Sequence, residues 1–386
     1  MIDERRKPLH ILQVTGAMNR GGAEVMLMDI YRNMSPVVRF DFLINVKRNN
    51  PHVRGDFDDE IERLGGTLRH IGTQWELGPR KYYSQFKKII QEIGKPDVVH
   101  IHMNAKCGVI AMAARMCGIK KIVAHSHAAL KFKGPLRKTI PSIVELKLQR
   151  MLIGMFATDF WGCSTEANAS LFYRRLKHRT IVINNAVDVA AFQNVSKRDT
   201  ANITTKLNYE GALVLGNVGR VVRHKNVAFV VDVLRVLCER NVNSIFVFAG
   251  RADDKTYMAE ILEKAKNYGI ESRVIHLGDR NDIPAVMSAF DVFVGPALNE
   301  GFGLVAAEAQ ATGVPCVLST GFPQTVDLNL GLVSFVKNSD PKEWADAILR
   351  ERDNKCLDRD MIQNRIKERG FDAAENAKRI ESLYRA

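Results

Sequence analysis

NEGFGLVAAEAQATGVP occupies residues 299–315 and follows the apolar run DVFVGPA, residues 291–297. The run reads as a buried parallel strand, and the small apolar residues after Gly303 read as a helix packed closely against it. A strand end, a glycine-broken loop and a helix start make one βα unit of an open α/β sheet, where ligands gather at the carboxyl ends of strands. Glu300 and Glu308 lie a little over two helical turns apart. Gly301 and Gly303 open the helix between them, so free N–H groups can point at a ligand while the two carboxylates accept its hydroxyl groups.

The same rhythm extends outward in both directions. In the second half it recurs at ALVLGNVG (212–219), SIFVFAG (244–250), RVIHLG (273–278) and VPCVLS (314–319). The first half has its own series, LHILQV (9–14), FDFLIN (40–45), TLRHIG (67–72), DVVHIH (97–102), KIVAHS (121–126), FWGCS (160–164) and TIVINN (180–185). Helical patterns such as AEVMLMDIYRNM and RKYYSQFKKIIQEIG separate the runs, so each half predicts parallel strands joined by crossover helices. The expectation is an α/β protein of two Rossmann-like domains, residues 1–195 and 206–365. The polar stretch Asn194–Thr205 is the expected linker, and charged closing helices follow from Glu343 onward.

Two further loops carry chemistry. TGAMNRGGAE, residues 15–24, stands between the first strand and its helix, and Gly16, Gly21 and Gly22 would let backbone N–H groups approach an anion there. A tight strand-to-helix turn explains the same glycines. The spacing matches neither G-x-G-x-x-G nor a P-loop, which argues against a nicotinamide or ATP site. NVGRVVRHKN, residues 217–226, offers Arg220 as a planar fork and Lys225 as a point charge, a pair suited to two phosphates or to a solvated basic loop. Arg223 and His224 read as solvent-facing neighbours.

A length of 386 residues suffices for two full cores, and 46% hydrophobic with 26% charged residues excludes wholesale disorder, collagen and a dominant coiled coil. No apolar run approaches the roughly 18 residues that span a bilayer, and MIDERRKPLH holds no apolar secretion segment, so a cytoplasmic chain is expected. Cys107, Cys117, Cys163, Cys238, Cys316 and Cys356 form no C-x-x-C pair and read as reduced core thiols.

The net charge of +13 falls entirely in residues 1–195, which hold 30 Lys and Arg against 17 Asp and Glu, whereas the remainder holds 26 of each. An anionic partner for the first half follows. Nucleic acid is not expected, because the basic residues are not interleaved with aromatics and no nucleic-acid motif occurs. An anionic membrane face and a phosphorylated substrate both fit. Residues 130–153 place Lys131, Lys133, Arg137 and Lys138 before Ile140, Val144, Leu148, Met151 and Leu152 at helical spacing, a basic amphipathic element or a buried helix with a solvated approach. DFD (56–58) and DRD (358–360) match the letters of a metal motif but sit away from strand ends, and no metal is expected there.

Together the three loops resemble those of the retaining glycosyltransferases of family 4, and the likeness covers nearly the whole chain. Segments like GAMNRGGAE and RNDIPAVMSAFDVFVGPALNEGFGLVAAEAQATGVPCVLS recur in bacterial members that build exopolysaccharide, capsule or O-antigen. The resemblance implies a GT-B fold, two facing Rossmann-like domains with a C-terminal helix, residues 366–386, returning to the first. It implies a nucleotide-sugar donor, UDP-linked, held mainly by the second domain, and a carbohydrate or lipid-linked sugar acceptor held by the first, with no cofactor.

Residue by residue, the resemblance gives Gly21 and Gly22 to the distal phosphate, and Arg220 with Lys225 to the leaving diphosphate. It gives Glu300 to the donor sugar hydroxyls, Glu308 to the ribose, and the backbone of Phe302, Gly303 and Leu304 to the sugar and phosphate. HLGDR (276–280), with Arg280, matches the base-contacting loop. GFG stands where many relatives carry GFP or GLP. A histidine near the reacting sugar is also implied, with His125 and His127 on one strand face, His127 nearer the carboxyl end, and His102 as a third candidate. The implied enzyme is retaining and metal-independent, peripheral on the inner membrane face. A UDP-sugar 2-epimerase or a sugar-nucleotide-binding scaffold without activity would share the fold.

Overall fold

Parallel strands order both halves of the computed structural model, which describes residues 7–47, 54–128, 136–196, 198, 200, 203, 211–355 and 358–386, with backbone only at 136–139. Unit 1 comprises Met1–Ala186 with Ala373–Ala386, and unit 2 comprises Val187–Asp372.

Unit 1 holds seven strands, β1 (Leu9–Thr15), β2 (Val38–Val46), β3 (Leu68–Gly72), β4 (Val98–Ile101), β5 (Lys121–Ser126), β6 (Asp159–Gly162) and β7 (Thr180–Val182). Their order is β3-β2-β1-β4-β5-β6-β7, so the winding reverses between β1 and β4. The strands are apolar because helices cover both sheet faces. Leu12, Val14, Val99 and Ile122 pack on one face, and Ile11, Phe40, Phe42 and Val123 on the other. Against that rule Gln13, His100 and His125 are buried polar residues within the strands.

The helix Ala373–Arg385 completes the second face. Ala373, Ala377, Ile380 and Tyr384 recur at helical spacing and bury in the same core as Ile11 and Trp161. Tyr384 stacks on Trp161 with ring centroids 5.6 Å apart.

Unit 2 holds β8 (Leu213–Val218), β9 (Ser244–Ala249), β10 (Val274–His276), β11 (Val292–Gly295), β12 (Cys316–Ser319) and β13 (Val333–Val336), ordered β10-β9-β8-β11-β12-β13. The winding reverses between β8 and β11. Both units are therefore doubly wound α/β sheets of the Rossmann kind.

Unit 1 ends at Ala186, before the expected boundary at 195, because Val187 N–H donates to the Phe371 carbonyl at 2.8 Å and Gln193 donates to the Arg359 carbonyl at 3.0 Å, both within unit 2. Phe371 and Asp372 likewise belong to unit 2, so the returning helix starts at Ala373 rather than 366. The linker expected at Asn194–Thr205, Cys356, and the side chains of Lys131, Lys133, Arg137 and Lys138 lie wholly or partly outside the described residues. The other five cysteines are free; Cys107 and Cys316 are buried in the core as expected, whereas Cys117, Cys163 and Cys238 are only half-buried.

Candidate active site

In unit 2 the loops leaving β8 and β11 flank the point where the winding reverses. Lys225 closes a 3-10 turn, Arg223–Lys225, before the helix Ala228–Glu239. Its ammonium forms an ion pair with Glu300, from the loop after β11. Backbone bonds hold that meeting in place: Leu298 N–H donates to the His224 carbonyl at 2.8 Å, and Glu300 N–H to the Gly321 carbonyl at 2.9 Å. Arg220 is 50% exposed and, among the described residues, makes only a long contact, 3.4 Å, with Asp253, which leaves its guanidinium open to solvent. Arg223 and His224 face solvent, Arg223 bonded to Glu260.

Gly303 starts the helix Leu304–Ala311 in the left-handed region, φ 86°, and a Cβ there would lie 2.4 Å from the Phe322 ring. Only glycine fits, and proline, its φ fixed near −65°, cannot take this conformation. No side chain caps the helix, so the N–H groups beginning at Leu304 remain for a ligand. Phe302 stacks on Phe371 at 5.0 Å, which turns its side chain into unit 2 and leaves its backbone to the loop. Glu308 is buried within the helix. Arg280 forms a two-pronged pair with Asp282.

In unit 1 Gly21 caps the helix Gly22–Arg32 in extended conformation without a side-chain bond. A Cβ on Gly22 would meet nothing within 4 Å, whereas one on Gly21 would lie 2.4 Å from the Glu24 carboxylate. The open approach is therefore at Gly22. Of the DFD carboxylates, Asp56 serves this loop, accepting from Arg20 N–H at 3.0 Å, and Asp58 accepts from Gly55 N–H in its own turn at 2.9 Å. In DRD, Asp358 caps the helix Arg359–Glu368.

His102 and His127 follow β4 and β5, and His125 lies within β5. The rings of His125 and His127 stack at 4.1 Å. A fourth ring, His100, joins them: His100 Nε2 bonds His125 Nδ1 at 3.0 Å, and His102 Nδ1 bonds His127 Nε2 at 2.7 Å. Behind them Gln13 meets His102, and Tyr384 meets His100. Burial lowers His127 to about 4 and holds His100, His102 and His125 well below the usual imidazole value. All four are neutral at pH 7.

Ligand nitrogens of His100, His102 and His125 lie within 4.8 Å of one another, a spacing metal sites also show. The rings of His100 and His125 are coplanar within 2° and joined edge to edge, so those nitrogens face each other rather than a common centre. Sequence reasoning did not single out His100, Gln13 or Tyr384. The matching H-x-H pairs, His100 with His102 and His125 with His127, on runs read as successive strands were the available signal.

The family model of glycosyl transferases group 1 matches residues 199–368. A putative glycosyltransferase, EpsF, of Bacillus subtilis (strain 168) is 33% identical over 388 residues, covering 100% of this chain and 97% of its own. An Escherichia coli protein named UDP-Gal:alpha-D-GlcNAc-diphosphoundecaprenol alpha-1,3-galactosyltransferase is 29% identical over 90% of each chain. The crystal structure of Anabaena Alr3699/HepE with UDP-glucose superposes with a TM-score of 0.78 at 20% identity, over 98% of this chain and 100% of that one, and shares the fold. The chain belongs to the group 1 glycosyl transferases and is a glycosyltransferase with the GT-B architecture.

Proposed function

We propose that the enzyme moves a sugar from a UDP-sugar to a carbohydrate carried on a lipid diphosphate, retaining anomeric configuration and using no metal ion or other cofactor, in surface polysaccharide synthesis. The Lys225–Glu300 pair at the reversal point of unit 2 supports this reading above all, since it sets a cation for a leaving diphosphate beside a carboxylate for sugar hydroxyls. The Escherichia coli relative, named for a UDP-sugar donor and a diphosphoundecaprenol acceptor, supports the substrate classes.

As the bond between the sugar and the diphosphate breaks, its electron pair passes to the diphosphate oxygen. Arg220, Lys225 and the helix N–H groups beginning at Leu304 offset that charge. The acceptor hydroxyl adds to the same face of the sugar and gives its proton to the departing phosphate oxygen. Glu300 orients the sugar through its hydroxyls, and Glu308 takes the ribose diol. Gly22, with Gly21 beside it, is the acceptor-side phosphate candidate in unit 1.

Peripheral attachment to the inner membrane face completes the proposal. Among the described residues no helix is long and apolar enough to cross a membrane. On the helix Leu136–Phe156, however, Ile140, Val144, Leu148, Met151 and Met155 recur on one face and are 43–62% exposed, whereas Leu152 packs on the core. An exposed apolar stripe of this kind, beside Lys131, Lys133, Arg137 and Lys138 in sequence, suits an anionic lipid surface.

A panel of UDP-, GDP- and dTDP-sugars, scored by thermal stabilisation and donor hydrolysis, tests the donor class. UDP-sugars alone should stabilise and be hydrolysed; preference for another nucleotide would overturn the assignment. Release of an epimerised UDP-sugar without acceptor would favour a 2-epimerase.

A further inference from the structure

The four histidines form a chain whose proton positions can be worked out from its buried end. The Tyr384 hydroxyl lies 2.6 Å from His100 Nδ1. Gln13 turns its amide nitrogen, 3.3 Å away, to the same hydroxyl, so the phenol accepts there and gives its one hydrogen to the imidazole. The amide oxygen of Gln13 is thereby turned toward His102 Nε2, at 2.8 Å, where it can only accept.

Each ring then settles the next. His102 carries its proton on Nε2, so its Nδ1 accepts from His127 Nε2–H. His100 accepts at Nδ1, so it carries its proton on Nε2 and donates to His125 Nδ1. His125 in turn keeps its own proton on Nε2. Both chains end on buried nitrogens without a hydrogen-bond partner among the described residues, His125 Nε2 and His127 Nδ1. The reverse order would protonate every Nδ1, and it needs both Tyr384 to accept from His100 and the Gln13 amide to be turned over.

We propose that Gln13 and Tyr384 are positioning residues that lock all four histidines as Nε2–H tautomers, so that the ladder ends in an N–H donor at His125 and a lone-pair acceptor at His127 for a hydroxyl-bearing ligand. Burial keeps the rings neutral, which the arrangement requires. His125 Nδ1 and His127 Nε2 are spent on the β4-side rings of His100 and His102, so the free nitrogens lie on the opposite ring edges, a buried acceptor at His127 and a buried donor at His125 for the hydroxyl groups of a ligand. That use rests on the sugar-transfer reading. The proton order stands without it.

The test is a long-range ¹H–¹⁵N spectrum of the whole chain labelled at histidine, at pH 7.5, assigned with single His→Gln variants. The expected result is a protonated Nε2 and bare Nδ1 at His100, His102, His125 and His127. Tyr384→Phe keeps the ring on Trp161 and removes the donor, so His100 and His125 should lose their single tautomer and show averaged shifts. A hydroxyl with a merely structural role would change stability without moving these signals. A protonated Nδ1 at His125 or His127, or unchanged signals in Tyr384→Phe, would overturn the proposal, and the wild-type spectrum decides it even if the variant fails to fold. Sugar transfer by a wild type with reversed order would count against the ladder alone, whereas the expected order in a protein without transfer would count against the functional reading alone.

Discussion

Lys225 Nζ donates to Glu300 Oε1 across two loops, although 75 residues separate them in sequence. The side chains are only 21% and 12% exposed, so the pair is better shielded than an ordinary surface ion pair. It holds both groups at the carboxyl ends of β8 and β11, and on the proposed reading an arriving diphosphate would compete with Glu300 for the ammonium.

Lys225→Ala and Arg220→Ala should each lower turnover on the order of 100-fold without unfolding the protein, since losing one donor to a developing oxyanion costs about 2.7–4 kcal/mol. Because Lys225 touches Glu300, the effects of Lys225→Ala and Glu300→Ala should be non-additive, whereas exposed Arg220 should combine with Glu300 additively. Steady-state kinetics on the double variants checks this. Near-normal turnover in both single cation variants would remove the leaving-group role.

The two glutamates should separate binding from transfer. Glu300→Ala should impair transfer more than UDP affinity, and Glu308→Ala the reverse. UDP calorimetry beside transfer assays reads both. Intact UDP binding with abolished transfer in Glu308→Ala would mean that the roles are exchanged.

Activity should survive EDTA, because Arg220, Lys225 and an uncapped helix start can offset the leaving-group charge. Complete loss in chelator, restored by manganese, would contradict this. Asp56 and Asp58 already accept loop N–H groups and Asp358 caps its helix, so attention would then pass to the His100, His102 and His125 nitrogens.

Anionic liposomes should sediment the enzyme at low salt and release it near molar salt, as screening weakens the basic contribution of about 1 kcal/mol per residue. Replacing Lys131, Lys133, Arg137 and Lys138 with Gln should reduce binding markedly. Exchanging Val144, Leu148 and Met151 for Gln should do the same while leaving the charge unchanged. Equal binding by both variants would place the lipid contact elsewhere.

Stability should fall as pH drops through the histidine ladder. The folded value of His127 is lowered from 6.5 to about 4, so below pH 6.5 the unfolded chain binds a proton that the native chain refuses. Stability is therefore fully present above about 6.5 and declines toward 4, at about 1.4 kcal/mol per pH unit for each such proton. Urea unfolding at pH 7.5 and pH 5 measures the slope. A flat profile would mean that the histidines are not held neutral.

The strands of both sheets were legible because parallel strands covered on both faces leave unbroken apolar runs, and the glycine loops marked their carboxyl ends. Val333–Val336 was missed because it is a short, half-buried strand at the sheet edge. The unit boundary was missed because it depends on Val187 joining Phe371 through the backbone, which residue types do not reveal. Glu300 and Lys225 were named from sequence, but not their mutual pairing. Gln13 and Tyr384 lay further out of reach: a bond across 371 residues has no spacing to read, and a tyrosine on a closing helix looks like core.

Sugar transfer itself is measured by following a radiolabelled UDP-sugar into a diphosphoundecaprenol-linked saccharide. Transfer with retention places label in the lipid fraction, releases one UDP per sugar transferred and gives a product whose anomeric configuration matches that of the donor. Label remaining in a sugar nucleotide, or a product of inverted configuration, would contradict it.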